Sequence, residues 1–246
     1  MVLHDGSELS GSTLVLNCRA EPPWRTFVKK LVIAIDGPSG AGKGTLARTV
    51  AERLGYKHID TGAMYRAVAW KALEEGVPLE DDQLVAALAE RALYEQVDGT
   101  ILIDGHDVTR AIRTPEIDKA AATVARLPLV RKVLVSQQRR MGEDAAVVME
   151  GRDIGTVVFP GADLKIYIDA SAEERARRRA ADPAHTGSHT PLSNVQSDMA
   201  ARDKSDSTRA VAPLAQADDA IYIDTTTMPI DAVVHRVLML ALEKLE

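Results

Sequence analysis

The stretch IAIDGPSGAGKGTLA, residues 33–47, constrains this chain more than any other. The run LVIAIDG (31–37) is nearly continuous in apolar, β-branched residues, as a strand buried on both faces should be. After a glycine-rich turn, TLARTVAERLG places Leu46, Val50, Ala51 and Leu54 at helical spacing, with Gly55 as a stop. Strand, glycine loop and helix form the frame in which backbone N–H groups and a helix N-terminus hold phosphate. The usual phosphate-loop pattern, G-x-x-x-x-G-K-[ST], puts a hydroxyl directly after the lysine. Here Gly37, Gly42 and Lys43 are in register, but Gly44 follows the lysine and Thr45 comes one place late. A phosphate donor is expected over Gly37, Pro38, Ser39, Gly40, Ala41, Gly42, Lys43, Gly44 and Thr45. Without the usual hydroxyl, a metal has to rely on water and carboxylates, and Glu150 and Asp60, each at a strand end, are the candidates.

Four further short runs read as strands: KHID (57–60), AVVMEG (146–151), LKIYIDA (164–170) and AIYIDTT (220–226). With the first they make five, separated by helical stretches, which predicts an α/β fold with a parallel sheet covered by helices on both faces. At 246 residues the chain is long enough to bury a large core. Two segments interrupt the alternation. Residues 76–142 read as a small α+β unit with a hairpin around Asp98-Gly99, and residues 180–208 are polar and broken by Gly and Pro, as a mobile lid is. The expected division is a flexible extension over 1–28 and one domain over 29–246. Within that domain the core covers 29–75, 143–179 and 209–246, the insertion 76–142 and the lid 180–208.

A formal charge of -6 argues against a general binder of nucleic acid or membrane surface. The single cysteine, Cys18, excludes an internal disulfide and a cysteine metal cluster, and fits a reducing compartment. No apolar run approaches the roughly 18 residues that span a bilayer. A cytoplasmic protein is expected. His185 and His189 lie in a polar stretch without acidic partners and make a poor metal site.

Three other stretches carry charge where packing alone does not call for it. In DTGAMYRA (60–67), Asp60 and Thr61 end a strand, Gly62 allows a tight turn, and Tyr65 and Arg66 fall on the first turn of the next helix, where an Arg can reach a second phosphate. In EGRDIGTVVFP (150–160), Arg152 and Asp153 sit where an apolar strand meets a loop. In RDKSDSTRAVAPL (202–214), Arg202, Asp206 and Arg209 share a face if the segment is helical. The run ERARRRA (174–180) reads as a solvated helix face, with an Arg stacked on a donor base as the alternative. Trp70 and Tyr94 read as core or partial core.

In this order, GPSGAGKGT, DTGAMYRA, EGRDIGTVVFP and RDKSDSTRAVAPL resemble the bacterial cytidylate kinases, over about residues 30–245. The first motif is common to many nucleoside monophosphate kinases; the other three are much more specific. The resemblance implies a P-loop kinase with a parallel-sheet core, a monophosphate-binding insertion and a lid. It implies transfer of phosphate from ATP to CMP or dCMP with Mg²⁺, small-molecule substrates rather than nucleic acid or membrane, and a monomer. By position, Lys43, Arg152 and Arg209 would be catalytic. The CMP phosphate would meet Arg66, Arg152 and Arg209, with Thr61 and Tyr65 nearby. Arg131 and Asp153 match residues that recognise cytosine, and Arg202 and Asp206 match those that hold the sugar hydroxyls. Ala122 falls where the family often carries a hydroxyl residue against cytosine. The alternatives are a kinase of UMP or AMP, and a GTP-dependent regulatory protein. The second needs an N-K-x-D stretch that the chain lacks.

Overall fold

The computed structural model describes residues 30–97, 99–144, 146–182 and 191–245. The expectations for residues 1–28 (with Cys18), Asp98, His185 and His189, and for part of the lid, lie outside them. The apolar run before the glycine loop is strand β1, Val32–Asp36, with Ile33, Ala34 and Ile35 fully buried. Sealing each isoleucine side chain from water contributes on the order of 1.5–3 kcal/mol. Helix α1 (Lys43–Leu54) leaves the loop with Leu46, Ala47, Val50 and Ala51 on its buried face and ends at Gly55 in the left-handed conformation. Strand β2 (Lys57–Asp60) runs straight into helix α2 (Thr61–Glu74).

Between α2 and β6 (Val147–Gly151) lie helix α3 (Asp82–Arg91), strands β3 (Tyr94–Val97), β4 (Thr100–Ile103) and β5 (His106–Asp107), helix α4 (Pro115–Val124) and helix α5 (Pro128–Gly142). The three strands form an antiparallel sheet of their own. Thr114 caps α4 through Ile117 N–H, and Pro115 and Pro128 occupy first-turn positions where a missing N–H costs nothing. The chain then adds β7 (Leu164–Asp169), helix α6 (Ala172–Ala180), helix α7 (Leu192–Ser207), β8 (Ile221–Asp224) and helix α8 (Ile230–Leu245).

The five-stranded sheet has the order β2-β6-β1-β7-β8 and every pairing in it is parallel. All its strands therefore end on one edge. The register sets Asp36 beside Gly151 and Asp60 beside Glu150 there, where ligands of open α/β sheets sit. One face of the sheet packs on α1 and α8 through Ile33, Ile35, Leu46, Val50 and Val237. Ala34, Ile59 and Met149 pack on the other with Ile154 and Val158. Trp70 and Tyr94 pack at the margin of the small sheet's core. Among the described residues no helix is long and apolar enough to cross a membrane.

Local structure differs from expectation at three places. Helix α2 starts at Thr61, with Asp60 as its N-cap accepting from Ala63 N–H at 3.0 Å. Gly62 is therefore helical, not a turn, and Tyr65 and Arg66 fall in the second turn. Gly62 instead lets Arg66 come close: a Cβ there would stand 3.2 Å from its Nη1. After β6 the chain enters a π-helical turn, Ile154–Val158, which no periodicity signals. Within the polar stretch 180–208, residues 192–207 form the 16-residue helix α7.

Candidate active site

A cleft of about 1460 Å³ opens along the carboxyl edge of the large sheet, between the glycine loop, α2, the segment after β6, and α7. Its wall takes in the loop from Ser39 to Thr45, and with it Asp60, Thr61, Tyr65, Arg66, Arg131, Glu150, Arg152, Asp153, Arg202, Asp206 and Arg209. Every acceptor-side and metal residue expected from the sequence thus borders one space. Gly37 and Pro38 lie off the wall. Gly37 approaches β7 so closely that a Cβ would fall 2.0 Å from Ile168 O, which bars any side chain. The carbonyl of Pro38 accepts a hydrogen bond from Lys43 Nζ at 2.7 Å.

The glycine after the lysine has a steric reason. A Cβ at Gly44 would stand 3.3 Å from Glu150 Oε1. The missing side chain lets this buried carboxylate lean against the first turn of α1. Glu150 Oε1 also lies 3.0 Å from His58 Nε2. Asp60 is engaged as a helix cap and lies 3.8 Å from Arg113. Burial would raise its pKa, but Arg66 and Arg113 more than offset this and hold it below the usual carboxylate range. Among the described residues no three metal-ligating side chains cluster together. Hard oxygen donors in this arrangement suit a cation bound largely through water.

The rest of the site is dominated by cations. Lys43 is buried, and burial and the charge of Arg152 pull its pKa down to about 7 against the opposing Glu150 and Asp36. Arg202 is pulled to about 10 by burial, Arg152 and Arg66. Arg66 donates through Nε to Asp118 of α4 at 3.0 Å, and Asp118 also takes Arg179 of α6 and lies 3.6 Å from Arg202 of α7. Three guanidinium groups from three helices thus meet at one carboxylate. Arg152 donates through Nε to Asp206 at 2.9 Å, and Arg209 approaches the same carboxylate at 3.7 Å.

Arg131 pairs with Asp153 deep in the wall, with its guanidinium 5.7 Å from the centre of the Tyr65 ring. Its side chain is only 3 % exposed. The Nε donors of Arg131 and Arg209 are buried without a hydrogen-bond partner. Leaving a buried donor unpaired costs about 1–3 kcal/mol, and such groups call for an acceptor from outside the chain. The arrangement can hold two anionic groups facing each other and, at the Arg131–Asp153 end, a planar polar group offering both donor and acceptor edges.

Several contributing residues escaped sequence reasoning. The run ERARRRA is not simply a solvated face. Arg177 is exposed, but Arg175 donates to Ser39 O at 3.1 Å, Arg178 donates to Thr225 O at 2.6 Å and Ala41 O at 3.2 Å, and Arg179 meets Asp118. Asp203 of α7 pairs with Arg175 and accepts from Ser39 N–H at 3.3 Å, seating that helix on the loop. Asp36, the polar end of a buried strand, was the one signal in plain view.

A family model described as cytidylate kinase matches residues 33–243. A cytidylate kinase of Solibacter usitatus is 51% identical over 215 residues, covering 87% of this chain and 93% of the relative. One from Desulfitobacterium hafniense is 48% identical over 221 residues, covering 89% and 95%. A third, from Desulforamulus reducens, is 51% identical over 209 residues, covering 84% and 94%.

Proposed function

This chain belongs to the cytidylate kinase family, and from that premise we propose that it transfers the γ-phosphoryl group of ATP to CMP or dCMP, giving ADP and CDP or dCDP. The observation that carries this reading is the sharing of one cleft by the glycine loop and the buried Arg131–Asp153 pair. The loop from Gly37 to Thr45 takes the donor phosphates, with Lys43 on their charge. Arg66, Arg152 and Arg209 take the acceptor phosphate, flanked by Thr61 and Tyr65. Arg131 and Asp153 read the cytosine edge, and Arg202 and Asp206 hold the sugar. Residues 76–142 serve as the acceptor-binding insertion and 180–208 as the lid.

Charge decides the mechanism. Two unit charges about 4 Å apart repel by roughly 1 kcal/mol in water and by about 4 kcal/mol at an effective dielectric near 20. ATP and a nucleoside monophosphate bring several such pairs together, so binding needs matching cations. Lys43 and the arginines supply them and stabilise the charge spread over the transferring group in its loose transition state. The acceptor oxygen is already anionic, so an oxygen of CMP attacks the γ-phosphorus as the bond to ADP breaks, without a strong base. Closure of α7 over the loop excludes water, the competing acceptor. Glu150, or Asp60 as the alternative, would hold Mg²⁺ through water, and the ion would supply further charge neutralisation when bound with ATP. A monomer is the working unit in this reading, and the single cysteine fits a reducing, cytoplasmic setting.

An ADP-release assay against CMP, dCMP, UMP, AMP and GMP tests the reading. Release with CMP and dCMP well above the others is expected, and none with any acceptor would sink it.

Two narrower outcomes follow from the geometry. Burial and the charge of Arg152 hold the Lys43 amine well below its ordinary pKa in the ligand-free protein, so it gives up its proton more readily there than a free lysine. The ATP polyphosphate should return it toward its ordinary range, so binding at pH 8 should be accompanied by net proton uptake. Calorimetry in two buffers of different ionisation enthalpy reads this directly, and equal apparent enthalpies in both would refute it. Asp206→Ala should raise KM more for CMP than for dCMP, because only CMP carries the 2′-hydroxyl. It should also lower kcat with both, since Arg152 loses its partner. Equal KM changes for the two sugars would count against a role for Asp206 in reading the sugar.

A further inference from the structure

Asp36 ends β1 one residue before the glycine loop, and its side chain is buried away from the cleft wall. Its backbone lies beside Gly151 in the sheet. Its carboxylate reaches past Gly151, accepting from Ile154 N–H through Oδ1 at 2.8 Å and from Gly155 N–H through Oδ2 at 2.7 Å. These are the first two residues of the π-helical turn. Within that turn Val157 and Val158 donate to Asp153 O, and Phe159 donates to Ile154 O. The N–H groups at 154 and 155 precede these bonds and need an acceptor from elsewhere, as helix starts do.

One residue thus holds both ends of a two-residue span. The sheet fixes the chain at Gly151, the Asp36 carboxylate fixes it at Ile154 and Gly155, and between them stand Arg152 and Asp153. We propose that Asp36 is a positioning residue for the acceptor: it sets the place of Arg152 and Asp153 without touching substrate. The proposal rests on the reading that those two residues meet CMP. Burial, with the nearby charge of Asp153, pushes the Asp36 carboxyl up to about 6 despite its two backbone bonds and the opposing charge of Lys43. An acid so costly to ionise is a poor choice for packing alone.

The test compares steady-state kinetics of Asp36→Asn, Gly155→Ala, Arg152→Ala and Val237→Ala with wild type, with melting temperatures in parallel. Asparagine can satisfy one N–H but turns its own amide donor toward the other. Losing one such bond in the acceptor complex should raise KM for CMP about tenfold, with KM for ATP changed less than twofold. Gly155→Ala leaves Asp36 in place but sets a methyl 3.4 Å from Oδ2 and 3.2 Å from Lys165 Cδ. It should move KM for CMP the same way by a smaller factor, and it carries the test if Asp36→Asn fails to fold. Val237→Ala, a cavity in the distant α8 core, should lower the melting temperature and leave KM for CMP unchanged.

A KM for CMP in Asp36→Asn and Gly155→Ala equal to wild type, or raised in parallel with that for ATP, overturns the positioning role. So does an equal rise in Val237→Ala. Wild type without CMP-dependent ADP release, or Arg152→Ala with unchanged KM for CMP, overturns the underlying acceptor reading and this proposal with it. Those two failures appear in different proteins and cannot be confused with the first.

Discussion

Lys43→Ala is expected to lower kcat about a thousandfold, or ~4 kcal/mol of transition-state stabilisation. The amine is the one lysine on the loop, it is only 6 % exposed, and it is held from behind by Pro38 O. In a site this dry its charge acts at an effective dielectric well below that of water. The effect should fall on kcat more than on KM for ATP, because negative charge shifts along the donor phosphates as the γ-phosphoryl group departs. Loss of folding should not account for it. With its folded pKa pulled below the ordinary lysine value, the unfolded chain binds this proton more readily, so Lys43 opposes folding fully below pH ~7, with the penalty fading toward its ordinary pKa. An alanine there removes that penalty. Turnover near wild type at saturating ATP and CMP would refute the role of the loop.

The second large effect is expected at Asp153. Arg131 lies 3 % exposed in α5 with Asp153 as its ion-pair partner and its Nε already unpaired. Asp153→Ala leaves that cation buried without its counter-ion, and breaking such a pair costs about 3–5 kcal/mol of stability. The urea midpoint should fall accordingly, and CMP should no longer saturate at concentrations that saturate wild type. A double variant, Asp153→Ala with Arg131→Met, separates the two losses. Replacing both partners by apolar groups should recover most of the stability, while use of CMP should stay lost. Recovery of both would mean that the pair serves only the fold.

The core was legible because its signals are local. An apolar run before a glycine cluster, with helical spacing after it, needs no distant partner to be read, and three of the other strands of that sheet follow from short apolar runs ending in a polar residue, with KHID as the fourth. The acceptor residues were legible in a different way. Arg66, Arg131, Arg152 and Asp153, and Arg202 with Asp206 and Arg209, were each ambiguous on their own stretch, and only the order of the motifs, read as a family resemblance, gathered them. What stayed hidden was long-range. Asp118 meets Arg66, Arg179 and Arg202 across three other helices, and Asp203 meets Ser39 across most of the chain. Nothing around either aspartate distinguishes it from a solvated helix residue. Gly62 misled because a glycine after a strand reads as a turn, whereas here it admits a guanidinium to the helix surface. The π-helical turn was invisible because its ties are to Asp36 on another strand, not to a pattern of its own.

The strand order also has a consequence in time. Val32 pairs with Val147 and Ile33 with Leu164, so β1 lies between two strands that both arrive more than a hundred residues later. At roughly 5–20 residues per second of synthesis, this apolar strand leaves the ribosome with both edges open and waits on the order of 6–25 seconds for its first neighbour in the sheet. The glycine loop hangs from its end and cannot take its final shape before then. Catalytic competence is therefore among the last things this chain acquires as it is made, and the interval before β6 emerges is when a nascent copy is most exposed to pairing with the wrong edge.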